Sequence, residues 1–290
     1  MRKFFWILFL FFVFIDAAEA FTLSNFNTPE SMIVDPDDGS YYVSNINGGV
    51  TDKDGNGYIS KINSSGNIVI QQFIGGKKDE LLLNAPKGMV ILGKNLFVAD
   101  IDTVKGFNKD TGKPSVLIDF SKFRVQFLNG IAVDSAGFLY VSDTLGNQIF
   151  KIDANKDYEV KLFKEGKELG GPNGLIVNPR SKNLMVVTWQ GGEILEIDRN
   201  GGIHVLKKGL YMLDGIDYDN DGNLYVSSFE KGEIYQVAFY GRGTLKTFLN
   251  GLTTPGDISC DRKKFLLLIP SFKGDTVLTT PILKTLKVEK

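Results

Sequence analysis

The chain of 290 residues is long enough to bury a large core, and its net charge of −1 gives no reason to expect nucleic acid or an anionic membrane as a partner. Its single cysteine, Cys260, excludes an intrachain disulfide. For an exported protein, the lack of disulfides favours a bacterial periplasm or cell surface over a eukaryotic secretory route.

Residues 1–20 have the pattern of a secretory signal peptide. A basic start precedes an unbroken apolar run from Phe4 to Ile15, and Ala17-Ala18-Glu19-Ala20 supplies a small-residue cleavage site after Ala20. The apolar run of 12 residues is short for a membrane span, so an uncleaved anchor is the less favoured alternative. We therefore predict a mature domain over residues 21–290 that has no membrane span and is periplasmic or secreted.

A short motif recurs six times through the rest of the chain. The copies are Pro29-Glu30-Ser31, Pro86-Lys87-Gly88, Leu128-Asn129-Gly130, Pro172-Asn173-Gly174, Leu213-Asp214-Gly215 and Thr254-Pro255-Gly256. The intervals between their middle residues are 57, 42, 44, 41 and 41 residues. A period near 42 with strand-type sequence inside each unit indicates repetition about an axis.

The third unit shows the content of one repeat. It reads as four strands, over Gly130–Val133, Phe138–Ser142, Asn147–Asp153 and Tyr158–Phe163, with a turn of favourable residues between the first two. The other units repeat this pattern, and no segment has a convincing helical stripe. The sequence therefore predicts an all-β fold, a six-bladed β-propeller with four antiparallel strands in each blade.

The two ends of the mature chain are predicted to close the ring. Phe21–Phe26 resembles Leu245–Asn250, which reads as the outer strand of blade five. We therefore predict that the mature N-terminus supplies the outer strand of blade six, where it covers a sheet edge.

The middle residues of the motifs are predicted to meet at the axis. Each begins the innermost strand of its blade, so these positions share one face with the ends of the antiparallel second strands. The polar residues at these positions, called the ring residues below, are Glu30, Lys87, Asn129, Asn173 and Asp214. Residues at or beyond the ends of the second strands are predicted to wall a pocket above the ring; these include Asn47, Asp102, Asp143, Thr144, Trp189, Gln190, Phe229 and Phe272.

Four ring residues have the oxygen donors of a metal site: Glu30, Asn129, Asn173 and Asp214. The two carboxylates would repel each other without a partner. Hard oxygen ligands with a net charge of −2 suit Ca²⁺, or another divalent cation, and the absence of Cys and His from the ring argues against zinc and copper. Lys87 leaves alternatives open, because its ammonium would either replace the ion by pairing with a carboxylate or hold an anionic substrate.

These motifs resemble the ring of the gluconolactonase and regucalcin (senescence marker protein) family, and more distantly diisopropylfluorophosphatase and paraoxonase. The resemblance implies a catalytic divalent ion bound by Glu30, Asn173 and Asp214, with Asn129 completing the shell or holding substrate. Asp214 would be the base or nucleophile in lactone or ester hydrolysis, with Glu30 as the second catalytic carboxylate. Lys87 departs from the pattern and, with Asp143 and Trp189, is a candidate substrate contact.

The only histidine is distant from the predicted ring. His204 lies on the predicted outer strand of blade four, so a histidine mechanism of the paraoxonase kind is not expected. The implied function is an exported, calcium-dependent hydrolase with a small-molecule substrate.

Two alternatives to a hydrolase remain open on the sequence. Asn and Asp before Gly are ordinary turn residues, so the chain would also suit a non-catalytic NHL-like propeller that binds a peptide, protein or sugar in the periplasm. A repeat module of an envelope complex is the other alternative.

One loop resembles a calcium-binding loop without meeting its full pattern. Asp52–Ser60 carries oxygen ligands and a glycine at the expected spacing, but Asn63 stands where a bidentate Glu is required. We predict a long loop leading into a strand, with a weak surface ion at Asp52 and Asp54 left open.

Overall fold

The computed structural model describes residues 20–75 and 81–282 and contains six four-stranded antiparallel sheets. The innermost strands of successive sheets contact one another around a closed ring, and the sixth contacts the first. The predicted six-bladed β-propeller is therefore confirmed. The signal-peptide prediction lies outside the described residues, except for Ala20. In the described part of the chain, no helix is both long and apolar enough to cross a membrane.

The strands follow the predicted order, with the innermost strand of each blade first in sequence. The first strand among the described residues is β1 (Thr22–Ser24). Blades one to three comprise β2 (Pro29–Val34), β3 (Tyr41–Asn45), β4 (Tyr58–Ile62), β5 (Ile68–Gly75), β6 (Pro86–Leu92), β7 (Asn95–Asp100), β8 (Thr103–Asn108), β9 (Pro114–Asp119), β10 (Leu128–Val133), β11 (Phe138–Asp143), β12 (Gln148–Asp153) and β13 (Glu159–Glu165).

The second half of the ring repeats the arrangement. A one-turn 3₁₀-helix, Lys167–Leu169, precedes blade four. Blades four to six comprise β14 (Pro172–Val177), β15 (Leu184–Thr188), β16 (Ile194–Ile197), β17 (Ile203–Lys207), β18 (Leu213–Tyr218), β19 (Leu224–Ser228), β20 (Glu233–Val237), β21 (Leu245–Leu249), β22 (Ser259–Asp261), β23 (Leu266–Ser271) and β24 (Thr276–Pro281), with β1 as the outer strand of blade six.

The N-terminal strand closes the ring as predicted, although it is shorter than the six residues expected. Strand β1 pairs antiparallel with β24, and Leu23 lies opposite Val277. Phe26, which follows β1, is buried against Met32 and Tyr41 of blade one and Leu268 of blade six. Both ends of the described chain thus share one sheet, and apolar packing joins that sheet to the first blade.

A β-bulge at the start of the inner strand recurs in five blades. In blade one, Pro29 pairs with Asn45, but the next paired residue is Met32. Equivalent shifts follow Pro86, Leu128, Pro172 and Leu213. The bulge leaves the ring residue unpaired in the hydrogen-bond ladder between the strands. Bulges of this kind change the direction in which a side chain points.

Glycine after the ring residue allows the inner strands to approach closely. A Cβ atom at Gly130 would lie 2.3 Å from the carbonyl oxygen of Asn173, and one at Gly174 would lie 2.3 Å from that of Asp214. These separations are too short for any side chain. The Asn-Gly and Asp-Gly pairs of the motif are therefore packing requirements of the ring as well as turn formers.

Candidate functional site

The five ring residues lie in one cavity of about 430 Å³ at the end of the axis where the inner strands begin. We call it the site cavity. Each ring residue is almost buried, with Glu30 4% exposed, Lys87 1%, Asn129 6%, Asn173 3% and Asp214 5%. Residues that are far apart in sequence thus converge as the repeat predicts.

Three ring residues have a buried oxygen without a hydrogen-bond partner. These atoms are Glu30 Oε2, Asn129 Oδ1 and Asp214 Oδ1, and the only other such side-chain atoms in the described residues belong to Asn56 and Gln148, outside the site cavity. Leaving a buried acceptor unsatisfied costs about 1–3 kcal/mol, and more when it is charged. Three unsatisfied acceptors in one cavity therefore require an external donor or cation.

The amide of Asn129 is oriented by the protein. Its Nδ2 faces Thr144 Oγ1 at 3.4 Å, and that hydroxyl donates to the carbonyl of Pro172 at 2.8 Å. The amide nitrogen of Asn173 likewise faces the carbonyl of Leu213 at 3.4 Å. The protein thus holds the nitrogen of Asn129 and leaves its oxygen for a ligand.

The buried carboxyl groups hold their protons more tightly than usual. Burial raises the pKa of Glu30 well above its usual value, and the charges of Asp214 and Asp257 raise it further, against an opposing effect of Lys87. Burial likewise raises the pKa of Asp214, with Asp257 adding to the effect. A cation in the cavity would reverse this penalty, since it favours the ionised form.

Lys87 is anchored by the main chain rather than by a ring carboxylate. Its Nζ donates to the carbonyls of Ala85 at 2.8 Å and Val50 at 3.0 Å, and lies 4.4 Å from the ring centroid of Phe127. Among the described residues it forms no ion pair with an acid. Burial lowers its pKa to about 8, although Glu30 acts in the opposite direction. This arrangement leaves both ring carboxylates without an ion pair to Lys87.

Most of the predicted pocket wall lines the site cavity. Thr144, Trp189, Gln190, Phe229 and Phe272 are all in its lining, whereas Asn47 and Asp102 are not. Asn47 and Asp102 follow the second strands of blades one and two, and in blade one the long loop places Ile46, Val50 and Thr51 in the cavity instead.

Asp143 does not occupy the substrate-contact position that the sequence suggests. Its carboxylate is buried outside the cavity lining and accepts hydrogen bonds from the backbone N–H groups of Gln126, Phe127 and Gly146, at 2.9, 2.8 and 3.0 Å. These bonds hold the loop that places Phe127 in the cavity. Asp143 is therefore a loop-positioning residue, and we leave it out of the proposed substrate site.

Sequence reasoning missed several residues that line the cavity from loops. Ile46, Val50 and Thr51 come from the long loop of blade one, and Phe127 precedes β10. The sequence does indicate a long loop that could carry Ile46, Val50 and Thr51, because the interval from Glu30 to the next motif is 57 residues rather than about 42. Phe127 carries no repeat signature that would have identified it.

Asp257 is a third carboxylate near the axis, but it faces another cavity. Its backbone N–H donates to the carbonyl of Glu30 at 2.7 Å, and its carboxylate accepts from Ser31 Oγ at 2.8 Å. It lines a cavity of about 270 Å³ at the opposite end of the inner strands. Burial raises its pKa to about 7 despite the hydrogen bond from Ser31.

The donor atoms of the site cavity suit a hard divalent cation. No cluster of three or more His, Cys, Asp or Glu side chains able to hold a metal occurs among the described residues. The candidate donors in the site cavity are two carboxylates and two amide side chains. Calcium accepts carboxylate and amide oxygens in flexible geometry and completes its shell with water. The unpartnered oxygens of Glu30, Asn129 and Asp214 meet that description.

Comparison with known proteins identifies the fold but no family. No protein-family model and no curated protein matches this chain. A catalytically inactive histidine-to-alanine variant of virginiamycin B lyase from Staphylococcus aureus, solved with quinupristin, aligns with a TM-score of 0.62 and 16% identity over 91% of this chain and 99% of that one. A structural genomics protein of unknown function from Bacteroides thetaiotaomicron aligns with a TM-score of 0.67 and 15% identity over 91% and 72%.

A streptogramin B lyase structure gives a similar result, with a TM-score of 0.62 and 14% identity over 92% of this chain and 87% of that one. Identities this low establish a shared propeller architecture and leave the function of the site to its own residues. The comparisons thus support the predicted β-propeller fold, and sequence comparison does not confirm membership of the gluconolactonase and regucalcin family.

Proposed function

We propose that this chain is a calcium-dependent hydrolase of the gluconolactonase kind that cleaves a lactone or ester in the site cavity. The observation that carries the proposal is the convergence of three unpartnered buried oxygens, from Glu30, Asn129 and Asp214. Similarity to propeller lyases is compatible with an enzyme at this axis. The histidine replaced in one of those structures has no counterpart in the site cavity, because His204 is exposed on β17.

The ion would be held by Glu30, Asn129 and Asp214, with Asn173 beside them. When bound, calcium would neutralise the two carboxylates and polarise the carbonyl group of the substrate. Another divalent cation of similar chemistry would serve the same donors.

Asp214 is the proposed general base. Its buried carboxylate lines the site cavity and has an unpartnered oxygen, Oδ1, that can accept a proton. It would accept a proton from water as the water oxygen bonds to the carbonyl carbon; the carbon–oxygen bond to the leaving group then breaks, and the leaving oxygen takes up the proton. Lys87 uses two of its three N–H groups on main-chain carbonyls, so the third is free to orient a substrate oxygen.

The test compares Asp214→Asn with Asp119→Asn, an exposed control on β9. We expect the wild-type chain to contain calcium and to hydrolyse lactones or esters in a chelator-sensitive manner. Asp214→Asn should lower the rate by about 10²–10⁴-fold, because it removes the base, while its circular dichroism spectrum stays native. An unchanged calcium content and rate in Asp214→Asn would overturn the proposal.

The non-catalytic binding module is the alternative, and the apolar wall of the cavity is the observation that favours it. It predicts ligand binding without turnover. Comparing Asp214→Asn with Asp119→Asn also separates the hydrolase from the binding module, because a binding module would retain its ligand affinity in Asp214→Asn and show no chelator-sensitive hydrolysis.

We further propose that the mature protein acts in the periplasm or outside the cell. The signal-peptide pattern of residues 1–20 supports this. Phe21, the first residue after the predicted cleavage site, belongs to the fold: its N–H donates to Thr279 Oγ1 at 2.9 Å, and its carbonyl accepts from Thr279 N–H at 2.9 Å. Intact mass measurement of the exported chain should give a product beginning at Phe21. A product that retains residues 1–20 would contradict cleavage.

A further inference from the structure

The wall of the site cavity differs in character from its floor. The polar ring residues form the floor, whereas the wall above them is mainly apolar, formed by Ile46, Val50, Phe127, Trp189, Phe229 and Phe272. A ligand whose reacting group reaches the floor must place the rest of its surface against this wall.

Three of the aromatic side chains form one continuous arc. The rings of Trp189 and Phe229 pack edge to face with centroids 5.2 Å apart, and those of Phe229 and Phe272 do so at 5.3 Å. They follow β15, β19 and β23, the second strands of three successive blades. Rings that pack edge to face hold one another in place, so the arc is a preformed apolar surface.

Few polar groups lie at the level of the wall, and Lys87 keeps one N–H that its two main-chain hydrogen bonds do not use. Thr144 Oγ1 donates to the carbonyl of Pro172, and Lys87 donates to two main-chain carbonyls. The remaining polar residues of the lining, Thr51, Gln190 and Lys273, are exposed. A sugar lactone would bring several hydroxyl groups against this wall, and each buried without a partner would weaken binding.

We propose that the ligand is a lactone or ester whose non-reacting part is an alkyl or aryl group, not a polyhydroxylated sugar acid. This inference rests on the proposed function for the reacting group, and on the aromatic arc for the rest of the molecule. Each methylene buried against the wall should raise affinity about fourfold until the cavity is filled.

Trp189 offers a direct reporter of occupancy. The only other tryptophan is Trp6, in the predicted signal peptide. The full chain is titrated with γ-lactones that carry butyl, hexyl and octyl side chains, and with glucono-δ-lactone, while tryptophan fluorescence is recorded. Trp189→Phe keeps an aromatic ring in the wall and removes the signal, which assigns the response to the cavity.

We expect dissociation constants that fall steadily from butyl to octyl and no saturable response to glucono-δ-lactone. Phe229→Ala should weaken octyl-lactone binding by at least about tenfold, as expected for loss of a buried aromatic contact. Phe239→Ala is the matched control and should leave binding unchanged, because Phe239 is 77% exposed and lies outside the cavity lining. The wild-type series alone decides the case if Phe229→Ala does not fold.

Tighter binding of glucono-δ-lactone, or affinity independent of side-chain length, would overturn the inference. Failure of the proposed function has a different signature. Alkyl lactones would then bind with the expected length dependence and remain unhydrolysed. Preferential hydrolysis of glucono-δ-lactone would instead keep the hydrolase and reject the apolar substrate class.

Discussion

Lys87 brings a positive charge close to the proposed cation site. It lowers the pKa of Glu30 through its charge but is held by the carbonyls of Ala85 and Val50. An ion bound by Glu30 and Asp214 would therefore be repelled by the positive charge of Lys87. In the proposed function, the remaining N–H group of Lys87 orients an oxygen of the substrate, and this role would account for a lysine beside the cation site.

Replacing this charge should strengthen calcium binding and weaken substrate binding. Lys87→Met keeps much of the side-chain volume and removes repulsion on the order of 1 kcal/mol, so calcium affinity should rise severalfold. Isothermal titration calorimetry measures the first effect, and KM for a hydrolysed lactone measures the second. Arg at this position restores a positive charge and an N–H donor, so it should reverse both effects; a loss of calcium in Lys87→Met would show that the lysine supports the site.

Protons should compete with calcium over an unusually high pH range. Metal binding requires ionised carboxylates, and burial raises the pKa values of both Glu30 and Asp214 above their usual range. Because protonation is favoured in the cation-free protein, calcium affinity should fall as the pH is lowered, beginning at pH values where exposed carboxylates are still fully ionised. Calcium titrations at several pH values test this, and a flat profile would contradict it.

The inner strands depend on glycine where neighbouring blades meet. A Cβ atom at position 174 would lie 2.3 Å from the carbonyl oxygen of Asp214, so Gly174→Ala must displace the strand that carries the proposed base. Overpacking of this kind typically costs about 1–3 kcal/mol.

We expect Gly174→Ala to lower both the free energy of unfolding and calcium affinity. Gly48→Ala is the control, since Gly48 is exposed and its added methyl group would make ordinary contacts at 3.5 Å. Denaturant unfolding and calorimetry report the two effects. Equal stability of the two variants would show that the inner strands yield more readily than their spacing suggests.

The sequence predicted most strands because their alternation is local. Asn147–Asp153 was expected as a third strand, and β12 spans Gln148–Asp153. The inner-strand bulges could not be predicted, because they depend on the register between strands rather than on either strand alone. A one-residue difference in register decides which side chain reaches the axis.

The ring positions could be predicted from the repeat, whereas Phe127 of the wall could not. Repetition places Glu30 and Asp214 at equivalent points of their blades, so their convergence follows from symmetry. Phe127 has no such constraint, because the loop before β10 is fixed by hydrogen bonds to Asp143. Position at a strand end does not reveal whether a carboxylate binds the backbone or a ligand, and Asp143 accepts backbone hydrogen bonds outside the cavity lining.

A cation at the axis would stabilise the folded propeller as a whole, in addition to its role in the proposed chemistry. The ring residues come from blades that contact mainly their neighbours. One ion bound by Glu30, Asn129 and Asp214 would join blades one, three and five at their common centre. A ligand that binds only the folded state stabilises it by about 2.7 kcal/mol at a hundred times its dissociation constant.

Calorimetric titration of the chelator-treated full chain with calcium tests the central claim most directly. We predict one tight ion per chain, lost in Asp214→Asn and retained in the exposed control Asp119→Asn, because only the former removes a ring carboxylate. A weaker ion at Asp52 and Asp54 would survive both substitutions and is distinguished in this way. Absence of tight binding to the wild-type chain, or the same tight binding in Asp214→Asn, would contradict a cation site on the propeller axis.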